Sequence, residues 1–259
     1  MDDPEPNSLT VTRDDDHVAV IEIQRGPDNY IDVDLATAIA DALEELEADA
    51  SCRAIVLVSS GKHFCAGARL SPLADDLPPG DKNPLYTQVT RMFGGSLPIV
   101  CAIQGAAIGA GLGLALAADF RVACPEARFG ATFARLGFHP GFGLTVTLPR
   151  VVGEQQALEM LYTGRRITGD AAFAMGLCDR LVPAEALRDE ARAFAREIAE
   201  SAPLAVRAIR RTMRGALVAQ VQRATEIEHA AQQILRRSAD YREGVAAFIE
   251  KRQPNFTGQ

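Results

Sequence analysis

The chain has 259 residues, 47% hydrophobic and 24% charged, with a net charge of −7; it is long enough to bury a full core without disulfides or metals. Its acidic balance, with no basic stripe, argues against a nucleic-acid footprint. Five scattered cysteines, an odd number in mostly apolar runs, predict reduced thiols in the cytoplasm, not a disulfide framework or metal site.

In chain order, the first segment, MDDPEPNSLT, has neither the basic nor the apolar region of a secretory or transit signal. HVAVIEIQ (17–24) alternates and is rich in Val and Ile, so it predicts a strand, and AIVLVSS (54–60) predicts a fully buried one. Between them, Leu35, Ile39, Leu43 and Leu46 recur at helical spacing, with Asp32 or Asp34 as the cap. SPLADDLPPGDKNP (71–84) carries four prolines and mixed charge and predicts a flap beside a site. PIVCAIQ (98–104) predicts a strand, a helix begins near Gly109, and FRVA (120–123) predicts a further strand. This alternation makes the fold class α/β with layered sheets.

From Ile99 to Ala118 no charge occurs, nominally enough to span a bilayer. Pro98, Gln104, four glycines in nine residues and the lack of flanking basic or aromatic belts argue against a membrane helix. Nor do Gly109, Gly111 and Gly113 complete a dinucleotide fingerprint or a phosphate loop, since Leu114 stands where the third glycine would be and no Lys-Ser/Thr pair follows. After Pro183 the pattern is helical over 184–200, 203–217, about 220–237 and 239–251. A boundary near 200 divides a core over 1–200 from a helical region over 201–259, with Pro203 restarting the helix.

Two turns share one design. GKHFCAGARL (61–70) and QGAAIGAGLG (104–113) each follow a buried strand with small residues and a helix start. Such turns present unpaired N–H groups that suit an anion or a developing oxyanion.

NYID (29–32), FCAGARL (64–70), LPIVCAIQGAAIGAGLGLALAADFRVA (97–123), ARFG (127–130), LGFHPGFG (136–143), LYTGRRITGDAAFAMGL (161–177) and AFIEKRQPNF (247–256) follow in the order of the sequence blocks of the crotonase (enoyl-CoA hydratase/isomerase) superfamily, which the chain resembles almost end to end. The resemblance implies a spiral of ββα units and a C-terminal helical trimerisation region, assembled as a homotrimer or dimer of trimers. It implies an acyl-CoA substrate, with CoA present only as part of that substrate and no permanent cofactor. The thioester oxygen would lie between the N–H groups of Ala68 and Ala110, the latter replacing a usual glycine. By family position, Arg25, Lys62, Ala66 and Lys251 would contact CoA, Lys251 by reaching a neighbouring subunit's ligand.

The sequence departs from the family in its acids. The family's hydratases carry two glutamates that handle water and proton; Gly113 and Phe133 occupy those positions here. An oxyanion donor contributes roughly 10² to 10³ in rate and each positioned acid or base about 10² to 10⁴, so the expected activity is not ordinary hydration. His139 is a candidate base near neutral pH, or else a structural histidine. Asp75 and Asp76 in the flap are candidate helpers, or else solvated; Asp119 is expected to be structural. Arg69 stands where relatives often carry Asp. Cys65, with His63 two residues away, is expected to be a core thiol rather than a nucleophile. Phe133, Phe138, Phe142 and Leu112 predict an apolar acyl pocket. The alternatives are a non-catalytic acyl-CoA-binding or assembly subunit and a hydrolase of thioester or C–C bonds; glutamate restored at 113 and 133 is expected to separate a dormant hole from an absent one.

Overall fold

The strand Ala54–Ser59 (β3 in chain order) is buried at every position because each face meets a different core. Val56 and Val58 point to one, Ile55 and Leu57 to the other, as strand alternation requires. The computed structural model describes residues 8–69 and 83–259; most of the flap expected over 71–84, with Asp75 and Asp76, lies outside them.

β1 (Leu9–Arg13) and β2 (Val18–Ile23) form an antiparallel pair, after which α1 (Val33–Ala48) leads into β3. Asp32 caps α1 by accepting from the Leu35 N–H. α2 (Pro84–Met92) precedes β4 (Ile99–Ile103); then come β5 (Ala106–Ile108), α3 (Ala110–Ala117) and β6 (Phe120–Ala123). β7 (Arg128–Gly130) leads through a 3-10 turn over Thr132–Leu136 to α4 (Leu144–Val152) and α5 (Glu154–Thr163). β8 (Arg166–Thr168), α6 (Gly169–Ala174) and β9 (Arg180–Leu181) follow, and the chain closes with α7 (Leu187–Ala199), α8 (Pro203–Arg214), α9 (Leu217–Leu235) and α10 (Ala239–Ile249).

The strands form two sheets, one ordered β1-β2-β3-β4-β6-β9 and parallel beyond its first pair, the other β5-β7-β8. Leu187, Ala191, Ala195 and Ala199 of α7 cover one face of the larger sheet. The opposite face packs on α1 and α3. Residues 106–108, expected as part of a turn, form β5, and the strands β1, β7, β8 and β9 were not anticipated; two to five residues are too few for periodicity to register. Among the described residues no helix is long and apolar enough to cross a membrane, and no cluster of three or more His, Cys, Asp or Glu could hold a metal.

The C-terminal helices fold back onto the core of their own chain. α9 packs on α2 and α4, and α10 on the 3-10 turn. α8 is fastened by charge: Arg210 and Arg214 hold Asp119 at 2.8 and 2.5 Å, and Arg207 holds Glu47 at 2.9 Å. Asp119 also accepts from the Ile99 N–H at 2.8 Å, which makes it structural, as expected. Burial alone would raise its carboxyl, but Arg214 and Arg210 outweigh burial and hold it below the ordinary carboxylate range. Removing one partner of such a buried pair costs about 3–5 kcal/mol, and that loss is expected for Asp119→Ala in chemical denaturation. A depressed carboxylate stabilises the fold fully above its unfolded value and less as pH falls through the folded one. Asp119→Asn should therefore lose less stability on acidification than the wild-type protein does.

Candidate active site

The first turn leaves β3 and is shaped by Asn29, fully buried with a left-handed φ of 51°. Its amide donates to the carbonyls of Ser60 and His63, both at 2.7 Å, and its Oδ1 accepts from the Arg25 N–H. His63 Nδ1 accepts from the Ala106 N–H at 3.0 Å, which places the neutral ring's proton on Nε2, 3.7 Å from Asp28. Cys65 pairs with Ala107 of β5, and Ala68 with Ile31. The Ile31 N–H donates to the Gly67 carbonyl, and Ile31 O accepts from the Arg69 N–H at 3.4 Å. The intervening N–H of Ala68 therefore faces the other way, and among the described residues it donates to no acceptor.

The second turn runs from β5 into α3. Ala110 is the first residue of that helix, so its N–H has no partner one turn back. The two turns interlock through their backbones: the Cys65 N–H donates to Ala106 O, and the Ile108 N–H to Cys65 O. A Cβ at Gly111 would lie 2.0 Å from Cys65 O, so only glycine permits this approach. Ala68 is partly exposed and Ala110 is 7% exposed, leaving both donors near the surface of an apolar region.

Beside the turns opens a cleft of about 600 Å³. Lys62, His63, Ala66, Arg128, Arg166 and Phe248 line it, with Asp28 and Glu126 also on its wall. Of the expected CoA contacts, Lys62 and Ala66 are therefore on the cleft. Arg25 is not among its lining residues and is bound at 2.6 Å to Asp32. Lys251 is exposed, with a left-handed φ of 54°, three residues beyond Phe248. Arg128 and Arg166 carried no sequence signal; each is a lone cation on a three-residue strand.

Gly113, one of the two positions where the resemblance expects an acid, is one turn into α3. A Cβ there would lie 2.6 Å from the Cβ, Cγ and Cδ1 of Phe142. The expectation that glutamate could simply be restored at 113 is corrected: the ring of Phe142 already occupies that volume. Phe133 stands on the 3-10 turn with its ring 3.6 Å from where a Cβ at Gly109 would be.

His139 is tied to the backbone. Its Nδ1 donates to Pro140 O at 2.8 Å, and its carbonyl accepts from Gln232 at 3.0 Å; this orients the ring with Nε2 as the acceptor nitrogen of the neutral tautomer and is compatible with either expected role. Cys65 is fully buried, and burial pushes its thiol up to about 12, so it stays a protonated core thiol as expected. Sequence reasoning missed Glu228, a fully buried carboxylate on α9. It accepts from the N–H groups of Gly143 and Thr145 at 2.8 and 3.1 Å and from the Thr145 hydroxyl at 2.7 Å. Gly143 has no side chain with which to cap α4; Glu228 performs that service from 85 residues away. Burial raises its pKa above the ordinary range, against its hydrogen bonds to Thr145 and Gly143.

A family model described as "Enoyl-CoA hydratase/isomerase" matches residues 13–259. The chain is 33% identical to a 1,2-epoxyphenylacetyl-CoA isomerase of Escherichia coli, over 89% of this chain and 91% of that one. It is also 33% identical to a crotonyl-CoA hydratase of Syntrophomonas wolfei, over 93% and 95% respectively. Among solved structures, an enoyl-CoA hydratase/isomerase from Pseudoalteromonas atlantica T6c superposes with a TM-score of 0.87 at 31% identity, covering 97% of this chain and all of that one.

Proposed function

The chain belongs to the enoyl-CoA hydratase/isomerase family, and we propose that it acts on an acyl-CoA thioester whose carbonyl oxygen is held between the N–H groups of Ala68 and Ala110. The observation that carries this reading is the pair of interlocked turns, each offering an N–H with no acceptor of its own among the described residues. Fixed donors of this kind stabilise an enolate or tetrahedral oxyanion without reorganising as charge develops. Lys62, Arg128 and Arg166 on the neighbouring cleft supply cations for the phosphates of CoA, and Ala66 offers its backbone along the way. No permanently bound cofactor is needed.

The reaction is not ordinary hydration. Gly113 and Phe133 cannot move a proton, and Phe142 fills the space beside Gly113 that a water-activating side chain would need. Isomerisation remains: the N–H pair would stabilise the enolate formed when a helper base, His139 or a flap acid at Asp75 or Asp76, takes the α-proton of a 3-enoyl thioester, and the protonated helper would return it at C4 to give the 2-enoyl product. The same apolar corner favours a second reading, a non-catalytic acyl-CoA-binding subunit. Exposed Leu204 and Met213 on α8 and Ile227 and Ile234 on α9 support self-association, as a homotrimer or dimer of trimers.

A panel of saturated, 2-enoyl, 3-enoyl and 3-oxoacyl-CoA thioesters incubated with the protein in D₂O and read by mass spectrometry tests this. Deuterium uptake or double-bond migration without addition of water is the expected result. Efficient water addition would overturn the departure from hydration, and thioester loss would make the enzyme a hydrolase. Binding with no change in any member would leave the non-catalytic subunit.

A further inference from the structure

Phe142 is a bulky residue in a conformation that bulky residues avoid. Its φ is +65°, in the left-handed region where a side chain is strained, and such strain persists only where the surroundings impose it. Glycines stand on either side, Gly141 and Gly143, and α9 fixes the segment from two points one helical turn apart. Glu228 accepts from the N–H groups of Gly143 and Thr145, while the Gln232 amide donates to the carbonyls of His139 and Pro140 at 3.0 and 3.3 Å. Gln232 is in turn oriented by the Tyr86 hydroxyl, which donates to its Oε1 at 2.8 Å.

Held this way, the ring packs against Gly113. A side chain on a helix leans toward the helix N-terminus, so the volume that Phe142 takes from position 113 lies toward Ala110 and its free N–H. Phe133 closes the neighbouring side at Gly109. The start of α3 is thus flanked by two aromatic rings where either a polar side chain or further substrate could otherwise stand.

We propose that Phe142 is a specificity-determining residue that limits the acyl group on this side of the pocket, selecting short acyl chains. The proposal rests on the reading that the chain binds acyl-CoA. Calorimetric titration of acetyl-, butanoyl- and hexanoyl-CoA into the wild-type protein, Phe142→Ala and Phe142→Gly measures it; the glycine variant also relieves the backbone strain. Each pair of methylenes newly admitted to an apolar space is expected to tighten binding by about tenfold. Hexanoyl-CoA should therefore gain at least that factor relative to acetyl-CoA in the variants. A purely structural Phe142 would weaken all three ligands together, and that result, or an unchanged hexanoyl-to-acetyl ratio, overturns the proposal. If the two variants fail to fold, Phe142→Leu should show a smaller shift of the same sign, and no shift there would also overturn it. Acyl-CoA binding by the wild-type protein with no change in ratio sinks the selectivity alone; no acyl-CoA binding by the wild-type protein sinks the underlying reading and the proposal with it.

Discussion

A single methyl group added at Gly113 is expected to destabilise the protein by about 1–3 kcal/mol, the usual cost of overpacking a filled core. For a chain of this size that lowers the melting temperature by a few degrees to roughly ten. The cause is local: the new Cβ would stand 2.6 Å from three atoms of Phe142, and that residue is 1% exposed and cannot swing outward freely. The cost should largely vanish when Phe142 is also reduced to alanine or glycine, because the two substitutions share one volume and are not additive. The same reasoning governs any attempt to install proton chemistry. Gly113→Glu alone should fold poorly and gain nothing, whereas Gly113→Glu with Phe142→Gly and Phe133→Glu has room for both carboxylates. If the oxyanion site is intact, the triple variant should add water to a 2-enoyl-CoA, with each positioned acid or base contributing about 10² to 10⁴. Thermal unfolding of the Gly113 and Phe142 single and double variants is the decisive comparison, and full additivity would refute the shared-volume account.

The second large effect concerns Ala68. Proline has no N–H, so Ala68→Pro deletes one of the two proposed donors while leaving the other at Ala110. Loss of one oxyanion donor costs about 10² to 10³ in rate, and deuterium uptake by a reactive acyl-CoA should fall by that factor. The Ile31 N–H donates to Gly67 O and Ile31 O accepts from the Arg69 N–H, so the pairing across this turn does not use the atom that proline removes. Undiminished turnover in a folded Ala68→Pro protein would place the chemistry elsewhere.

The two turns of the candidate site were legible in the sequence for a plain reason. Buried strands followed by small residues and a helix start are written in consecutive residues, so the turns at 61–70 and 104–113 could be found, and with them the proposed donors Ala68 and Ala110. Glycine and phenylalanine at 113 and 133, where the resemblance expects acids, were legible too, since they are single positions in an ordered motif. What packs beside them was not. Phe142 was expected only as part of an apolar pocket; its contact with Gly113 joins residues far apart in the chain and depends on a left-handed backbone that no pattern announces. Glu228 was equally hidden, because within α9 it looks like any charge on an amphipathic helix, yet it is fully buried and caps α4. For His139 the sequence offered a base or a structural histidine, and what it could not show is the anchoring of Nδ1 and the main-chain carbonyl by Pro140 and Gln232. The three-residue strands β7 and β8 carry Arg128 and Arg166 to the cleft, and segments that short escape any periodicity argument.

In the proposed site two main-chain N–H groups polarise a thioester carbonyl. Infrared difference spectroscopy of an acyl-CoA labelled with ¹³C at that carbonyl, bound to the wild-type protein and to Ala68→Pro, reads this bond directly. Two donors at that oxygen should lower the carbonyl stretch on binding to the wild-type protein and lower it less in the variant. A bound carbonyl that vibrates as it does in water, or is equally shifted in both proteins, would contradict the proposed polarisation.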